Sequence, residues 1–375
     1  MRTLYILIVL LAGYSCSVES NELKTLDLQT LNKGRTVALY DNYGKHFDHY
    51  RAVFLENTDS CSVLGVQQVL SLGSKVYTLI KNKIRSHYLS TGRMDGDFHF
   101  SNENKLITAF DIDTLTLRLY AVEAHSSRLI CFNTLGTTLF DIPLDSQYEY
   151  DQVVVLDADH LLLVAKSLPV PVTFIVDLNN RQMISLDKPG NNSFTPNALQ
   201  LKQIKSPLFL WSKSEKGVYG KYLLNDTIYQ YSKNGKEPVY RVRLGKDGLT
   251  YKNRTDLFKK NKQLTLSRFK QLSSNRWLLR YRNVTWTVFQ ICDSLMMPYT
   301  YPPSGLPFVW CCKDDSIFDI GMGHRVFIDE VGRKLFTINR YQTVGGTVMM
   351  QEKLPKYLRD HPQKSELLLC YFALR

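Results

Sequence analysis

His46-Phe47-Asp48-His49, with Asp41 nearby, gathers imidazole and carboxylate donors within a few residues, and these donors hold zinc. The two histidines stand three apart in a polar, loop-like stretch, and spacing marks no third ligand. No metal is expected there. Asp157-Ala158-Asp159-His160 offers a similar set, but Asp at a hairpin turn bonds its own backbone and needs no cation. Gly321-Met322-Gly323 is a lone glycine pair before the strand-like Val326-Phe327-Ile328 and reads as a turn. Neither a Gly-x-Ser-x-Gly elbow nor a phosphate-binding glycine loop occurs. The sequence therefore nominates no catalytic side chain, no metal and no cofactor. Trp211, Trp277, Trp286 and Trp310 are the other candidates. Aromatics in a concave mouth grip sugars and peptides, and the same rings also serve as wedges between packed sheets.

Cys16 suggests a lipid modification. Arg2, an apolar run from Leu4 to Ala12 and Gly13-Tyr14-Ser15 precede it, the layout of a secretory signal. Nine apolar residues are too few to span a bilayer, which takes about 20 in a helix. Ser15-Cys16 resembles a relaxed bacterial lipobox, with Tyr14 bulkier than usual there. Residues 1–15 are expected to be removed as a lipoprotein-type signal peptide and Cys16 to carry lipid. The competing reading is plain cleavage, with Cys16 removed or left as a thiol. Residues 16–36 are polar and read as a tether or lead-in, and residues 37–375 as the folded domain.

Removing residues 1–15 takes away only Arg2, which leaves 46 Lys and Arg against 35 Asp and Glu, a net charge of +11. Such a balance raises nucleic acid as a partner. The basic residues are scattered, however, and the densest group is only Lys259-Lys260 with Lys262. A solvated basic face is expected, with no nucleic-acid partner. Cys61, Cys131, Cys292, Cys311, Cys312 and Cys370 form no pair at zinc spacing, and most sit in apolar runs as small hydrophobes. One disulfide in an oxidising compartment stays open. Asn191, Asn225, Asn253 and Asn283 head sequons, which would accept glycans in a eukaryotic secreted chain and are chance in a bacterial one.

These residues must be positioned by strands. Residues 227–244, TIYQYSKNGKEPVYRVRL, alternate on both sides of Asn234-Gly235, which predicts a hairpin with a type I′ turn. Tyr229, Tyr231, Tyr240, Val242 and Leu244 are expected on one face. Similar short runs recur: 66–72, 76–80 and 84–90, then 106–110, 115–122, 129–133 and 138–142, then 152–156, 160–165, 172–177 and 182–186. A fourth unit holds 201–204, 208–212, 227–232 and 237–244. A fifth holds 269–272, 276–282 and 285–292, and a sixth 316–320, 325–329 and 335–338. Helical spacing is confined to 347–359, before a last apolar strand at 367–374. Recurring units of about four strands are the mark of a β-propeller. Closure of such a ring calls for the strands at 50–56 and 367–374 to share a blade.

Val53-Phe54-Leu55-Glu56-Asn57-Thr58 through Val76-Tyr77-Thr78-Leu79, the hairpin at Thr227-Ile228-Tyr229 and Val239-Tyr240-Arg241-Val242, and Gly305-Leu306-Pro307-Phe308 with the end of the chain resemble the six-bladed β-propeller lipoproteins of Bacteroidetes. The resemblance implies an all-β, six-bladed propeller with one short C-terminal helix before the closing strand, located in the bacterial envelope. It carries over no catalytic residue. Members often follow the first blade with a glycine-rich loop containing Gly-Pro, where this chain has only Thr91-Gly92-Arg93-Met94-Asp95-Gly96. The expected function is a non-enzymatic binding or scaffolding lipoprotein, anchored by Cys16 in what is expected to be the outer membrane. Its partners would be the membrane and a glycan, a peptide or another envelope protein. The alternative is a glycan-active lyase or hydrolase working in the axial funnel.

Overall fold

The computed structural model describes residues 24–27, 36–38, 47–56, 65–98, 106–123, 127–166, 172–187, 209–214, 217–222, 227–243, 289–291, 294–301, 306–311, 316–319, 325–329, 334–340 and 367–374. Among them the chain is almost entirely antiparallel β, in six sheets. Three strands come first: β1 (Lys24–Asp27), β2 (Thr36–Ala38) and β3 (Phe47–Leu55). Meanders follow. The first sheet is β4 (Val66–Leu72), β5 (Lys75–Ile80), β6 (Lys83–Tyr88) and β7 (Met94–Phe98). The second is β8 (Ile107–Asp113), β9 (Arg118–Glu123), β10 (Arg128–Asn133) and β11 (Thr138–Pro143). The third is β12 (Tyr150–Val155), β13 (His160–Ala165), β14 (Val172–Asp177) and β15 (Gln182–Ser185). The fourth is β16 (Phe209–Ser214), β17 (Gly217–Tyr222), β18 (Thr227–Ser232) and β19 (Gly235–Arg243), with β1 parallel to β19 as a fifth strand. The fifth is β20 (Phe289–Ile291), β21 (Ser294–Tyr301), β22 (Leu306–Cys311) and β23 (Ser316–Asp319), with β2 parallel to β23. In the sixth, β24 (Arg325–Asp329), β25 (Lys334–Arg340) and β26 (Leu367–Leu374) are joined by β3, antiparallel to β26.

The β3–β26 pairing is the one the sequence calls for: Leu367 lies opposite Leu55 and Leu369 opposite Val53. The segment expected as a lead-in contributes β1, and Thr36 at its end begins β2. Some units divide differently from expectation. Ser316–Asp319 belongs with the fifth sheet rather than the sixth, and β7, β17, β21 and β22 are strands where the sequence suggested turns or nothing regular. The expected strands at 201–204, 269–272 and 276–282 and the helix at 347–359 lie outside the described residues. No helix among the described residues is long and apolar enough to cross a membrane.

The cores lie between sheets, and alternation explains why. In the second sheet Leu119, Ala121, Ile130 and Phe132 pack on Tyr77, Leu79 and Ile84 of the first. Their neighbours Tyr120, Val122, Leu129 and Cys131 pack on Val153, Leu161, Leu163 and Phe174 of the third. Successive side chains point to opposite faces, so a strand that is apolar at every position is covered on both sides. The third and fourth sheets share a core around Val154, Leu162, Phe209 and Tyr231, and the sixth and first share one around Leu55, Leu367, Val69 and Val76.

Two local expectations are corrected. Type I′ geometry occurs at Lys81-Asn82, with φ of 49° and 64°, and not at Asn234-Gly235. There the central residues are Lys233 and Asn234, and Gly235 follows them, paired with Ser232 and at φ 136°. A bulge between Ile228 and Tyr229 then sets Tyr240 opposite Ile228, while Tyr229 faces Pro238. One extra residue moves Tyr240 to the other face from Tyr229 and Tyr231, where its ring meets Tyr219.

The junction of β3 with the first sheet is tight. Glu56 N–H donates to Gly92 O (3.0 Å), and Glu56 Oε2 accepts from Met94 N–H (2.8 Å). At Gly92, φ 71°, a Cβ would lie 1.7 Å from Phe54 O. Gly92→Ala should therefore cost on the order of 3 kcal/mol. Gly235→Ala, with open space around it, should cost only about 1 kcal/mol. Parallel urea melts check the contrast, and equal midpoints would contradict it.

His87 on β6 is fully buried at the same junction, with Nε2 3.1 Å from Glu56 O. A carbonyl only accepts, so Nε2 carries the proton, and Nδ1 is buried with no partner. Burial holds the imidazole below its ordinary value, and Arg85 adds to this against the pull of Glu56 and Asp97. The unfolded chain takes up this proton first, so the contribution of His87 is present above its unfolded pKa and is lost as pH falls. Thermal melts between about pH 7.5 and about pH 5 should show that loss, with a shallower slope in His87→Gln. An identical slope in the variant would assign the effect to other groups.

Candidate functional site

The first strands of successive sheets share no ladder, so their facing backbone groups need other partners. Polar side chains set into apolar strands supply them. Gln68 of β4 donates through Nε2 to Phe110 O (2.6 Å) and accepts Phe110 N–H at Oε1 (3.1 Å). Thr108 of β8 donates to Tyr150 O (3.3 Å), and Asp111 Oδ2 accepts Val155 N–H from β12 (2.6 Å). Trp211 Nε1 of β16 donates to Gln152 Oε1 (3.1 Å). These links also fix direction. Thr108 and Tyr150 are near the starts of their strands, Asp111 and Val155 near the ends, so β8 and β12 run the same way. Lys213 near the end of β16 reaches the Asp111–Ile112 end of β8 as well.

The convergence point is the pair Asp111–Lys213. Lys213 Nζ lies 3.2 Å from Asp111 Oδ2 and donates to Ile112 O (3.2 Å), a direct link from the fourth sheet to the second. Asp111 is only 2% exposed. Burial pushes its carboxyl above the ordinary range, while Lys213 and the N–H groups of Val155 and Ile112 pull it back. A carboxylate so occupied by donors from three strands is a fastener. Its contacts with Val155 and Lys213 link the second sheet to the third and the fourth.

A second cluster joins the third and fourth sheets near their outer strands. Asp187 accepts from Thr173 and from Tyr222 OH (2.8 Å) and pairs with Lys236. Lys236 Nζ also donates to Tyr222 OH (2.7 Å) and stands over the rings of Tyr222 and Tyr229, 5.0 and 5.1 Å from their centroids. Tyr231 OH donates to the same hydroxyl (3.2 Å). Burial raises the pKa of both Tyr222 and Tyr231 far above the ordinary phenol value, the reverse of what a tyrosine base requires. The cation–π pair and charged hydrogen bonds make this another fastener.

The residues singled out from sequence fall as follows. Cys16, Asp41, His46, Trp277, Trp286, the lysines at 259–262, the glycines at 321 and 323 and all four sequon asparagines lie outside the described residues. Asp48 and His49 stand in β3 at an irregularity of its pairing with β26. Asp157 Oδ1 accepts Asp159 N–H (2.9 Å) and contacts His160 Nδ1 (2.7 Å), turn chemistry as expected. Among the described residues no three His, Cys, Asp or Glu come together as a metal set. Cys131 is buried between sheets, where burial pushes its thiol pKa up to about 11. Trp211 is a wedge between the third and fourth sheets. Of the residues 91–96, set against a glycine-rich loop, 91–93 join β6 to β7 and 94–96 begin β7. Sequence reasoning missed Asp111, Lys213, Gln68 and Gln152, whose one signal is a polar residue inside an apolar run.

No protein-family model matches the chain, and no curated protein matches its sequence. Solved structures do. A Bacteroides fragilis protein named for its inferred export aligns over 87% of this chain and 95% of its own, at 12% identity and a TM-score of 0.63. That likeness concerns the fold alone. A member of the DUF4221 family from Bacteroides vulgatus aligns over 88% and 97% at 9% identity and a TM-score of 0.45. Virginiamycin B lyase from Staphylococcus aureus aligns over 78% and 82% at 8% and 0.44. At these last two scores the likeness is too loose to bear on function.

Lys213→Ala should leave Asp111 without its counter-charge and cost on the order of 3 kcal/mol near neutral pH. Because the carboxyl pKa is raised in the fold, the folded state binds the proton more tightly, and its contribution is lost as pH rises. The gap between Lys213→Ala and wild type should therefore narrow on acidification, and Asp111→Asn in the Lys213→Ala background should recover part of it. Chemical denaturation at two pH values measures both, and a gap that widens in acid would contradict the assignment.

Proposed function

We propose that the six sheets are the blades of one closed six-bladed β-propeller, completed by a short helix at 347–359, and that this ring is an exported, lipid-anchored binding or scaffolding module rather than an enzyme. Closure is supported by the cores between successive sheets and by β3 completing the sixth sheet beside the first. The approach of β16 to β20 and β24, and of β4 to β24 and β25, supports it too. The observation that carries the functional reading is the use of the ionisable and amide groups of the inner strands, Asp111, Lys213, Gln68 and Gln152, to tie one sheet to the next. A general acid or base needs a free lone pair or proton aimed at substrate, and these are engaged with protein. Export agrees with the signal-like start of the chain and with the exported class of the Bacteroides fragilis neighbour. The envelope, in the outer membrane, is the proposed location, and the partners are the membrane and a glycan, peptide or envelope protein.

Cys16→Ala should move the protein from the membrane to the soluble fraction, since one residue carries all the lipid. The purified wild type, screened against glycans and peptides, should bind a ligand saturably and return it unchanged by mass. Appearance of cleaved or unsaturated product would replace this reading with the lyase or hydrolase one. A Cys16→Ala protein that still pellets after a salt wash would remove the lipid anchor.

A further inference from the structure

Glu56 follows β3 and gives its N–H, its carbonyl and its carboxylate to the first sheet. The N–H donates to Gly92 O (3.0 Å), Met94 N–H donates to Oε2 (2.8 Å), and His87 Nε2–H donates to the carbonyl (3.1 Å). The loop that receives Glu56 is closed on itself, since Gly92 N–H donates to Tyr88 O (2.7 Å) and Tyr88 N–H to Arg93 O (3.0 Å). One residue of the sixth sheet's outermost strand is thus held at three points. Of the donors at those points only the imidazole changes charge between pH 5 and 8.

His87 lies on the face of β6 that packs on the sixth sheet. Val76, its partner across the ladder, belongs to the core shared with Val53, Leu55, Phe336, Leu367 and Leu369. The charged groups around the ring are Arg85 on its own strand, Asp97 on β7 and Glu56 from β3. Arg85 Nε and Asp97 Oδ2 stand 3.8 Å apart, Lys75 of β5 is paired with Asp95 (2.6 Å), and Lys334 of the sixth sheet is engaged at Ser71 (3.4 Å). A proton added at the buried Nδ1 meets no acceptor. It makes a cation beside Arg85, and a buried charge without a partner is costly. Turning the ring out to water removes that cost and takes the Nε2 donor away from Glu56 O, which leaves the carbonyl unpaired. We propose that this geometry is an acid-sensitive clasp: a proton on His87 frees Glu56 and opens the contact between β3 and the first sheet, while the second and third sheets stay shut. Opened to water the imidazole has its ordinary affinity for a proton, so the open form gains population as pH falls through about 6.5. The stability lost in acid is therefore lost first at one place, where the sixth sheet meets the first, and not across the fold. The clasp is independent of the Cys16 anchor and of any ligand.

Amide exchange on the purified full chain, resolved to the residue, tests the clasp. Protection at Glu56 and Met94, whose N–H groups are spent across the junction, should fall severalfold between about pH 7.5 and about pH 5.5 after correction for the intrinsic rate, with about tenfold as the ceiling that one imidazole provides. Amides at 119–122 and 129–132 in the second sheet should keep their protection. Glutamine in place of His87 donates to Glu56 O and does not titrate, so His87→Gln should abolish the fall. Glu56→Gln keeps an acceptor for Met94 N–H and should preserve it. A fall of equal size in the second sheet would make the event global unfolding and overturn the clasp. So would flat protection at Glu56 and Met94, a fall that survives His87→Gln, or one abolished by Glu56→Gln. The wild-type contrast between the junction and the second sheet decides even where a variant fails to fold.

Discussion

The first, second and third sheets each present an apolar surface on both sides, and the rest of the structure depends on covering both at once. A single meander of Leu119-Tyr120-Ala121-Val122 against Leu129-Ile130-Cys131-Phe132 has no face for water. Two such sheets stacked together still leave two outer faces bare. Adding a sheet moves the uncovered faces apart without removing them until the stack meets itself. The sixth sheet packing on the first, with Leu367 and Leu369 against Val69 and Val76, is what meeting itself requires. Turn lengths, bulges and polar links are subordinate to that geometry.

Packing alone does not fix how far one sheet slides on the next, because apolar contact is non-directional. Directional bonds do. Gln68 grips both the N–H and the carbonyl of Phe110, which sets the first sheet's height against the second to within a hydrogen bond. Asp111 with Val155 does the same for the second and third, and the Lys236 cluster for the third and fourth at larger radius. Buried polar groups of this kind act mainly as registers, since removing either partner is costly while the net gain from forming the pair is small.

The sequence displayed this fold through its hairpins more than its surfaces. Gly73-Ser74, Lys81-Asn82, Asn133 to Gly136 and Asp157 to Asp159 all sit between apolar runs, and local chemistry is enough to read them. Strands rich in glycine and aspartate were harder. Met94–Phe98 includes Asp95, Gly96 and Asp97, and Gly217–Tyr222 includes two glycines, residues that single-strand propensity disfavours but tertiary pairing tolerates. The side of the sheet taken by Tyr240 was hidden because it turns on one bulged residue. The site was hardest. Asp111 meets Val155 at a separation of 44 positions and Lys213 at 102, and no periodicity within a strand announces a partner that distant.

Completing the sixth sheet with β3 has a temporal consequence. The strand that waits and the strand that arrives are separated by about three hundred residues, so this contact is among the most non-local the chain makes, and such contacts form late. Until residues 367–374 are delivered, β3 has no antiparallel neighbour, and the faces of the first and sixth sheets stay open to water. The same arrangement leaves those apolar faces exposed until residues 367–374 have been made, an interval in which such surfaces are prone to aggregate.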